Sequence, residues 1–569
     1  MVRGEGRLPS KEGLNRSCIL VIVVAGVERF AFKGVASNLV TYLTEVLKMS
    51  NSTAAKTVNS WAGISFLLPL LGAFLADSYL DRYSTILASS ILYVAGLVAL
   101  TSTALVWEWI AKSATHDHEK TSSSPWSSFP LFLSLFLIAL GQGGYNPCLQ
   151  AFGADQLELS KKDNQLKQLP TTNNAKDGGD AADESISNEK MKSMFFKWWY
   201  FGICSGSLLG VSLMSYLQDT FGWGLGFAIP SIAMAMSVAP FSCGTRFYTV
   251  VIEEQPKSTG RSTAPMIKNL VDTVKGAAQK LMRRNYVALP TNLSEAVELE
   301  LQQRPLCSPQ HSEDQQCNNM ADGALPIVDT VGETESVLRL MPVWGMLLMF
   351  AIIFQQPATF FTKQGMAMKR NIGNHFLIPP ATLQSAINVS IILLMPLYDK
   401  LVTPVYRVLS GSDKGINVMQ RMGFGMFLSV IAMSVAAIVE TKRLEISRRE
   451  PTASSVPLCI FWLLPQYIIL GISDVFTVVG MQEFFYSEVP TKMKTMGMAL
   501  HLSVFGVGSF LSAILISFIE LVTSDSDGKH SWFSDDMSEA QLNNYYWLLA
   551  FASALSLFFF ATYSHRYYK

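Results

Sequence analysis

Three charged side chains stand where a charge is costly. Glu28, Arg29 and Lys33 lie within six residues of one another inside the apolar run Cys18–Leu43. A run of that length spans a bilayer, because ~20 residues rising ~1.5 Å each cover the ~30 Å hydrocarbon core. A charge at the centre of such a helix costs about 2.5–3.5 kcal/mol. Three of them must therefore face partners or a watery cavity. Lys33 is one helical turn from Arg29, on the same face, so the two cations can attract a carboxylate or another anion. Glu28 can take up a proton if the cavity tunes it. The same residues also fit a plainer reading, in which Glu28 and Arg29 are a static ion pair and Lys33 snorkels toward water.

The elements that must position these charges are membrane spans. Hydrophobic residues make up 49% of the 569, charged residues only 15%, and the polar residues are gathered in loops, as in a polytopic membrane protein. About twelve segments are long enough to cross. The first six are 18–43, 56–80, 83–107, 129–153, 194–217 and 222–243; the second six are 336–361, 376–398, 419–440, 457–486, 494–521 and 541–563. The expectation is an all-α protein of two six-helix bundles. With 44 basic and 44 acidic residues, no basic surface speaks for a nucleic-acid partner. The seven cysteines form no Cys-x-x-Cys pair, which argues against a zinc site or a disulfide framework. No nucleophile–base constellation, metal spacing or cofactor motif stands out, so the expectation is a protein that is not an enzyme and needs no cofactor. The polar Met1–Arg16 leads into a run without a cleavage site of the usual kind, which reads as a retained span.

An even number of spans puts both termini on one side. Arg3, Arg7, Lys11 and Arg16, then Lys161, Lys162 and Lys167, then the basic residues of the central loop all fall on that side, which marks it as cytoplasmic; Lys442, Arg443, Arg448 and Arg449, accompanied by Glu440, Glu445 and Glu450, are a minority on the other. The expected organisation is a cytoplasmic N-terminus (1–17), a first bundle (18–243), a cytoplasmic loop (244–335), a second bundle (336–563) and a cytoplasmic C-terminus (564–569). Within the loop, Met266, Ile267, Leu270, Val271, Val274 and Leu281 recur at helical spacing between lysines. That pattern fits a helix on the membrane surface or a solvated linker helix. Residues 158–192 and 305–334 are polar enough to be disordered. Asn51-Ser52-Thr53 is a glycosylation sequon beside the membrane. His501, inside a span, reads as packing before proton relay. No address signal chooses between the plasma membrane and an internal membrane, and oligomeric state is open.

The loops after the second and eighth spans are alike. Asp77, Asp81 and Arg82 occupy the first, Asp399 and Lys400 the second. Acids at the helix end with basic residues just beyond can latch two helices, and the pattern resembles the loop signature of the major facilitator superfamily.

More specific blocks resemble the plant nitrate and peptide transporter family, a branch of the proton-coupled oligopeptide transporters. They include Glu28-Arg29-Phe30-Ala31, Asn59-Ser60-Trp61-Ala62-Gly63, Ala151-Phe152-Gly153-Ala154-Asp155-Gln156, Trp198-Trp199-Tyr200-Phe201, Gln356-Pro357-Ala358-Thr359-Phe360 and Gln482-Glu483-Phe484-Phe485-Tyr486. The likeness runs from about residue 18 to 565 and spares only the polar loops. It implies alternating access: a central cavity that opens to one side and then the other, with possible symport of protons.

Against that family the chain departs at its charges. Proton-coupled members carry Glu-x-x-Glu-Arg in the first helix and a lysine before a proline in the fourth; here those positions hold Ala25 and Asn146. The acidic position on span ten is kept as Asp474. The resemblance, with Lys33 as an added cation, suggests that Lys33 replaces the missing lysine as partner of Asp474. A span-seven histidine that can bind nitrate in the family corresponds to Phe354. Arg29 and Lys33 would hold an acid group and Asp474 or Glu483 an amine, which suits an amino-acid-like or peptide-like zwitterion, a metal-chelating one included. Phe354, Gln355 and Gln356 would shape the pocket. The reading is a secondary transporter of nitrate, peptide-like or other small charged or zwitterionic organic solutes; the alternatives are a proton-independent uniporter and a substrate-sensing receptor of the same fold.

Overall fold

In a bilayer no water pairs the backbone, and a helix pairs its own. The computed structural model describes residues 16–78, 82–113, 125–167, 195, 198–243, 327–373, 376–397, 417–449, 456–489, 494–523 and 531–567. The first half comprises α1 (Arg16–Ala36), α2 (Leu39–Glu45), α3 (Asn51–Ser78), α4 (Arg82–Ser113), α5 (Pro125–Lys167), α6 (Trp198–Phe221) and α7 (Trp223–Cys243). The second half comprises α8 (Ile327–Phe354), α9 (Phe360–Met366), α10 (Ser385–Leu397), α11 (Val418–Arg449), α12 (Leu464–Ser487), α13 (Lys494–Thr523) and α14 (Leu542–Tyr567). Among the described residues, ten helices are long and apolar enough to cross a membrane. The first span (α1–α2) and the second (α3) complete the expected twelve; α1 is less apolar because it carries Arg16, Glu28, Arg29 and Lys33.

The first span is broken where a continuous helix was expected. Ser37 and Asn38 interrupt it, and the backbone groups set free find partners inside the protein. Gln218 Nε2 donates to the Gly34 carbonyl at 2.8 Å, and Gln384 Nε2 donates to the Ser37 carbonyl at 2.9 Å. Irregular backbone survives at membrane depth only with such partners. Span seven breaks likewise, between α8 and α9, around a short 3-10 turn at Gln356–Ala358.

Two polar stretches expected to be disordered are partly helical. α5 continues to Lys167, and α8 begins at Ile327. A helix already nucleated extends at one backbone bond per residue. A few strand residues also escaped the sequence reading. β1 (Met368–Lys369) pairs in parallel with β4 (Val456–Cys459), and β2 (Asn371–Ile372) pairs antiparallel with β3 (Phe376–Leu377). Gly373, in the loop of the second pair, has φ 62°, the left-handed region that glycine enters without strain.

Packing in the first half places α4 against α5 and α7, and α1 against α5, α6 and α7. In the second half α11 packs on α12 and α14, and α10 on α12. The halves meet along α3 and α13, where Phe66 packs on Phe505 at 5.6 Å between ring centres. Glycines permit the closest approaches that set the site. A Cβ on Gly206 of α6 would lie 2.0 Å from the Gly26 carbonyl oxygen of α1, and one on Gly72 of α3 would lie 2.2 Å from the Gly143 oxygen of α5.

Candidate substrate and proton site

α1 brings Glu28 into a wholly buried corner between α4 and α5. The carboxylate is 1% exposed, and Arg29 Nε lies 3.3 Å from its Oε2. Asn146 on α5 sits against both. With its amide turned to suit its neighbours, its nitrogen donates to Glu28 Oε2 at 3.3 Å and its oxygen accepts from Arg29 Nη2 at 3.0 Å. A neutral amide thus spans the ion pair. Tyr93 and Gln142 flank the same carboxylate. Glu28 Oε1, the Tyr93 hydroxyl and Gln142 Oε1 each have no hydrogen-bond partner among the described residues. Arg29 is 22% exposed and lies over the Phe32 ring at 5.8 Å, with Phe32 stacked on Trp61.

Lys33 points from the same helix against a single π-helical turn of α6, Gly210–Met214. A Cβ on Gly210 would approach the Phe30 carbonyl oxygen to 2.5 Å and Lys33 Cβ to 3.2 Å, so glycine here lets α6 close on the charged face of α1. The nearest opposite influence on Lys33 is Asp474 of α12, and Lys33 is the charge that acts on Asp474. They do not touch: no ion pair within 4.0 Å joins them among the described residues. Asp474 is 8% exposed, and its Oδ1 has no hydrogen-bond partner. Cys204 and Tyr200 of α6 lie on the same side, packed with Ile391 of α10 and Val475 of α12. Lys33 of the first half and Asp474 of the second therefore face each other across the seam between the halves.

The other expected residues fall in different places. Phe354 packs at a tilt on Phe350 and Phe505, and Phe505 in turn meets His501 edge to face. Gln355 is buried, with Nε2 unpartnered. Gln356 is turned into the second half, where its Nε2 donates to the Ile352 carbonyl and the Tyr545 hydroxyl, both at 3.2 Å. Glu483 is exposed and pairs with Arg421 of α11 at 2.5 Å. It stands nine residues beyond Asp474 on α12, about 13 Å along the axis. Asp81, Asp399, Lys400 and the amphipathic stretch Met266–Leu281 lie outside the described residues, as do the side chains of Asp77 and Arg82. His501 is buried with Nδ1 unpartnered. Asn51, the sequon asparagine, is 6% exposed and gives its amide to the Ser534 and Asp535 carbonyls. Tyr93 and Gln142 were not singled out from sequence. Gln142 sits in Gly141-Gln142-Gly143-Gly144, whose glycines pack α5 on α3 and α4.

Comparison with known proteins gives this site its setting. A family profile described as the POT family matches residues 83–533. The Arabidopsis thaliana protein NRT1/PTR FAMILY 5.9 is 52% identical over 555 residues, 96% of this chain and 94% of that one. NRT1/PTR FAMILY 5.10, from the same plant, is 40% identical and covers 98% and 93%. Among solved structures, an auto-inhibited POT family peptide transporter matches with a TM-score of 0.65 at 21% identity over 97% of both chains. A POT family transporter in complex with 5-aminolevulinic acid matches with a TM-score of 0.64 at 14% identity over 98% of both. These last two show the fold, the major facilitator arrangement of two six-helix bundles. Taken with the profile and the close relatives, they establish that the chain belongs to the POT family of membrane transporters.

Proposed function

We propose that the chain carries small zwitterionic or anionic organic solutes, peptide-like or amino-acid-like, by alternating access between its two bundles. The observation that carries this reading is the opposition of Lys33 on one half, one helical turn from Arg29, to Asp474 on the other, with Asp474 Oδ1 unpartnered and, among the described residues, no direct ion pair closing the gap. A buried carboxylate is costly without a partner, and a solute with an acid group at one end and an ammonium at the other satisfies both sides at once. That a protein of the same fold binds 5-aminolevulinic acid, which has those two groups, supports the reading. Nitrate would engage only the cations and leave Asp474 unanswered.

Proton coupling through Glu28 is the second part of the proposal. Its carboxylate retains one unpartnered oxygen beside the Tyr93 hydroxyl, a place where a proton can be held. The rival reading is a proton-independent uniporter. It is favoured by Ala25 in place of one family carboxylate and by the Asn146 amide that ties Glu28 to Arg29. A sensor without flux is the remaining alternative. With the bundles read as 18–243 and 336–563 from their apolar segments, the distribution of basic residues supports placing the loop between them and both termini in the cytoplasm.

Flux in reconstituted vesicles decides among these. Dipeptides, amino-acid-derived chelators, hormones and nitrate are offered with and without an inward proton gradient. Uptake of a zwitterion that rises with the gradient is expected. Uptake blind to the gradient identifies a uniporter, nitrate uptake with no zwitterion uptake overturns the substrate class, and binding without flux identifies a sensor.

A further inference from the structure

The interior of the second bundle holds two phenols that the protein itself does not answer. Tyr467 of α12 and Tyr546 of α14 are wholly buried, and neither hydroxyl has a hydrogen-bond partner among the described residues. Both rings flank one side chain. Phe361 of α9 meets Tyr467 at 5.5 Å and Tyr546 at 5.4 Å between ring centres, edge to face each time. Tyr467 shares the buried face of α12 with Asp474, which stands seven residues further on, about 10 Å along the axis. Thr362 of α9 lies close to the Tyr467 hydroxyl but outside bonding geometry with it. Its Oγ1 donates to the Pro357 carbonyl at 2.8 Å and accepts from Gln384 Nε2 at 3.3 Å, so it can accept once more. On the far side Tyr546 neighbours Tyr467 and the Glu440–Arg443 pair of α11. That pair is closed: Arg443 donates to Glu440 Oε2 at 2.9 Å, to Oε1 at 2.7 Å and to the Met537 carbonyl.

We propose that the Tyr467 and Tyr546 hydroxyls, with Thr362, form a binding site for water inside the second bundle, between α9, α12 and α14. The chemistry of the site selects this ligand. A buried hydroxyl left unbonded is costly, so the site calls for a molecule that both donates and accepts. An ion would meet no opposite charge among the described residues here, because Glu440 and Arg443 already answer each other, and an uncompensated buried charge is costly. An apolar molecule would leave both phenols as they are. Buried water makes about three hydrogen bonds to groups of this kind, and three hydroxyls converge from three helices. The site serves α9, the seven-residue half of the broken span seven. It stands apart from Glu28, Lys33 and Asp474 and is independent of which solute the chain carries.

The test is radiolytic footprinting of the purified full chain. A brief X-ray pulse splits water where it sits, and the hydroxyl radical oxidises the side chains beside it. Oxidation is read residue by residue in a mass spectrometer and expressed relative to the same residue in the denatured chain. Tyr467, Tyr546 and Phe361 are expected to oxidise at the rate of Phe376 in β3, which is 47% exposed, and not at that of Phe350 on α8, which is 1% exposed. Mixing with heavy-oxygen water just before the pulse separates held water from bulk solvent. The heavy oxygen incorporated at the three buried rings should lag behind that at Phe376. Tyr467→Phe with Tyr546→Phe keeps both rings and removes both hydroxyls, so oxidation of Phe361 should fall to the Phe350 level while Phe376 keeps its rate. Three results would each overturn the site. Tyr467 and Tyr546 oxidise no faster than Phe350 in the parent; their heavy-oxygen uptake keeps pace with Phe376; or Phe361 keeps its parent rate in the double variant. Should the double variant fail to purify, Tyr467→Phe alone decides, read as loss of oxidation at Phe361 and Tyr546.

Discussion

Glu28→Gln separates a proton site from a structural ion pair. The two charges stand 3.3 Å apart, which at an effective dielectric of 20 is about 5 kcal/mol of Coulomb attraction. Most of that is not lost on substitution. Glutamine keeps an oxygen that can accept from Arg29, so the change is from a charge-assisted hydrogen bond, about 1.5–3 kcal/mol, to a neutral one of about 1 kcal/mol. Arg29 keeps 22% exposure and can recover some hydration, and Asn146 still accepts from its Nη2. The expected loss of stability is therefore about 1–2 kcal/mol, too little to unfold the chain. The expected effect on transport is larger and specific. A side chain fixed neutral cannot load and unload a proton, so gradient-driven uptake should vanish while exchange of labelled for unlabelled solute across vesicles at equal pH persists. Both fluxes and the thermal midpoint are measured on the same preparation. If Glu28→Gln lowers the midpoint but leaves the response of uptake to the gradient at its parent value, Glu28 is a static pair and the proton-site reasoning fails.

Three further predictions concern the frame and the seam. Lys33→Asp and Asp474→Lys should each cut uptake at least tenfold, and the exchanged pair should recover part of it; a double variant no better than either single one removes support for a functional Lys33–Asp474 pairing. Arg443 and Glu440 are a wholly buried pair on α11, with Arg443 also donating to the Met537 carbonyl at 2.6 Å. Arg443→Met should cost about 3–5 kcal/mol because it strands a buried carboxylate, which a thermal or denaturant scan would read; an unchanged midpoint refutes it. Gly206→Ala drives a methyl to within 2.0 Å of the Gly26 carbonyl oxygen, and overpacking of this kind costs about 1–3 kcal/mol. It should lower folded yield and push α1 away from α6, and wild-type yield with wild-type uptake would show that the helices can part freely.

Span count and fold class were legible because membrane burial writes itself as long apolar runs. The details that build the site were not, for physical reasons that differ from residue to residue. The break at Ser37–Asn38 depends on Gln218 and Gln384, which come from α6 and from the turn before α10; nothing local announces it. Tyr93 and Gln142 look like ordinary helix residues until α1 places Glu28 between them. Gln356 sits in a family-like block, yet its direction follows from the break after α8, which turns its amide toward Tyr545. The ion pairs Lys56–Glu520 and Arg370–Asp219 join residues far apart in the chain, and pairing of that kind is a property of the folded seam, with no trace in periodicity.

The missing family charges and the charges actually present fit one account. Asn146 puts no charge beside Arg29, and its amide makes two hydrogen bonds, one to each member of the ion pair. A lysine there would compete with Arg29 for Glu28; an asparagine lets Arg29 keep it. With Glu28 so held, the carboxylate across the seam needs a different cation, and Lys33 is the side chain on α1 that acts on Asp474. The cost of that arrangement is distance, since the two do not meet within 4.0 Å, and distance is what a bridging solute can use. An amide that satisfies the first-helix pair internally leaves the cleft cation and its carboxylate free for cargo. Lys33 lies five residues beyond Glu28 on α1 and makes no contact with it, so on the proposed reading substitutions at Lys33 should alter apparent affinity for zwitterions while leaving any gradient response through Glu28 in place.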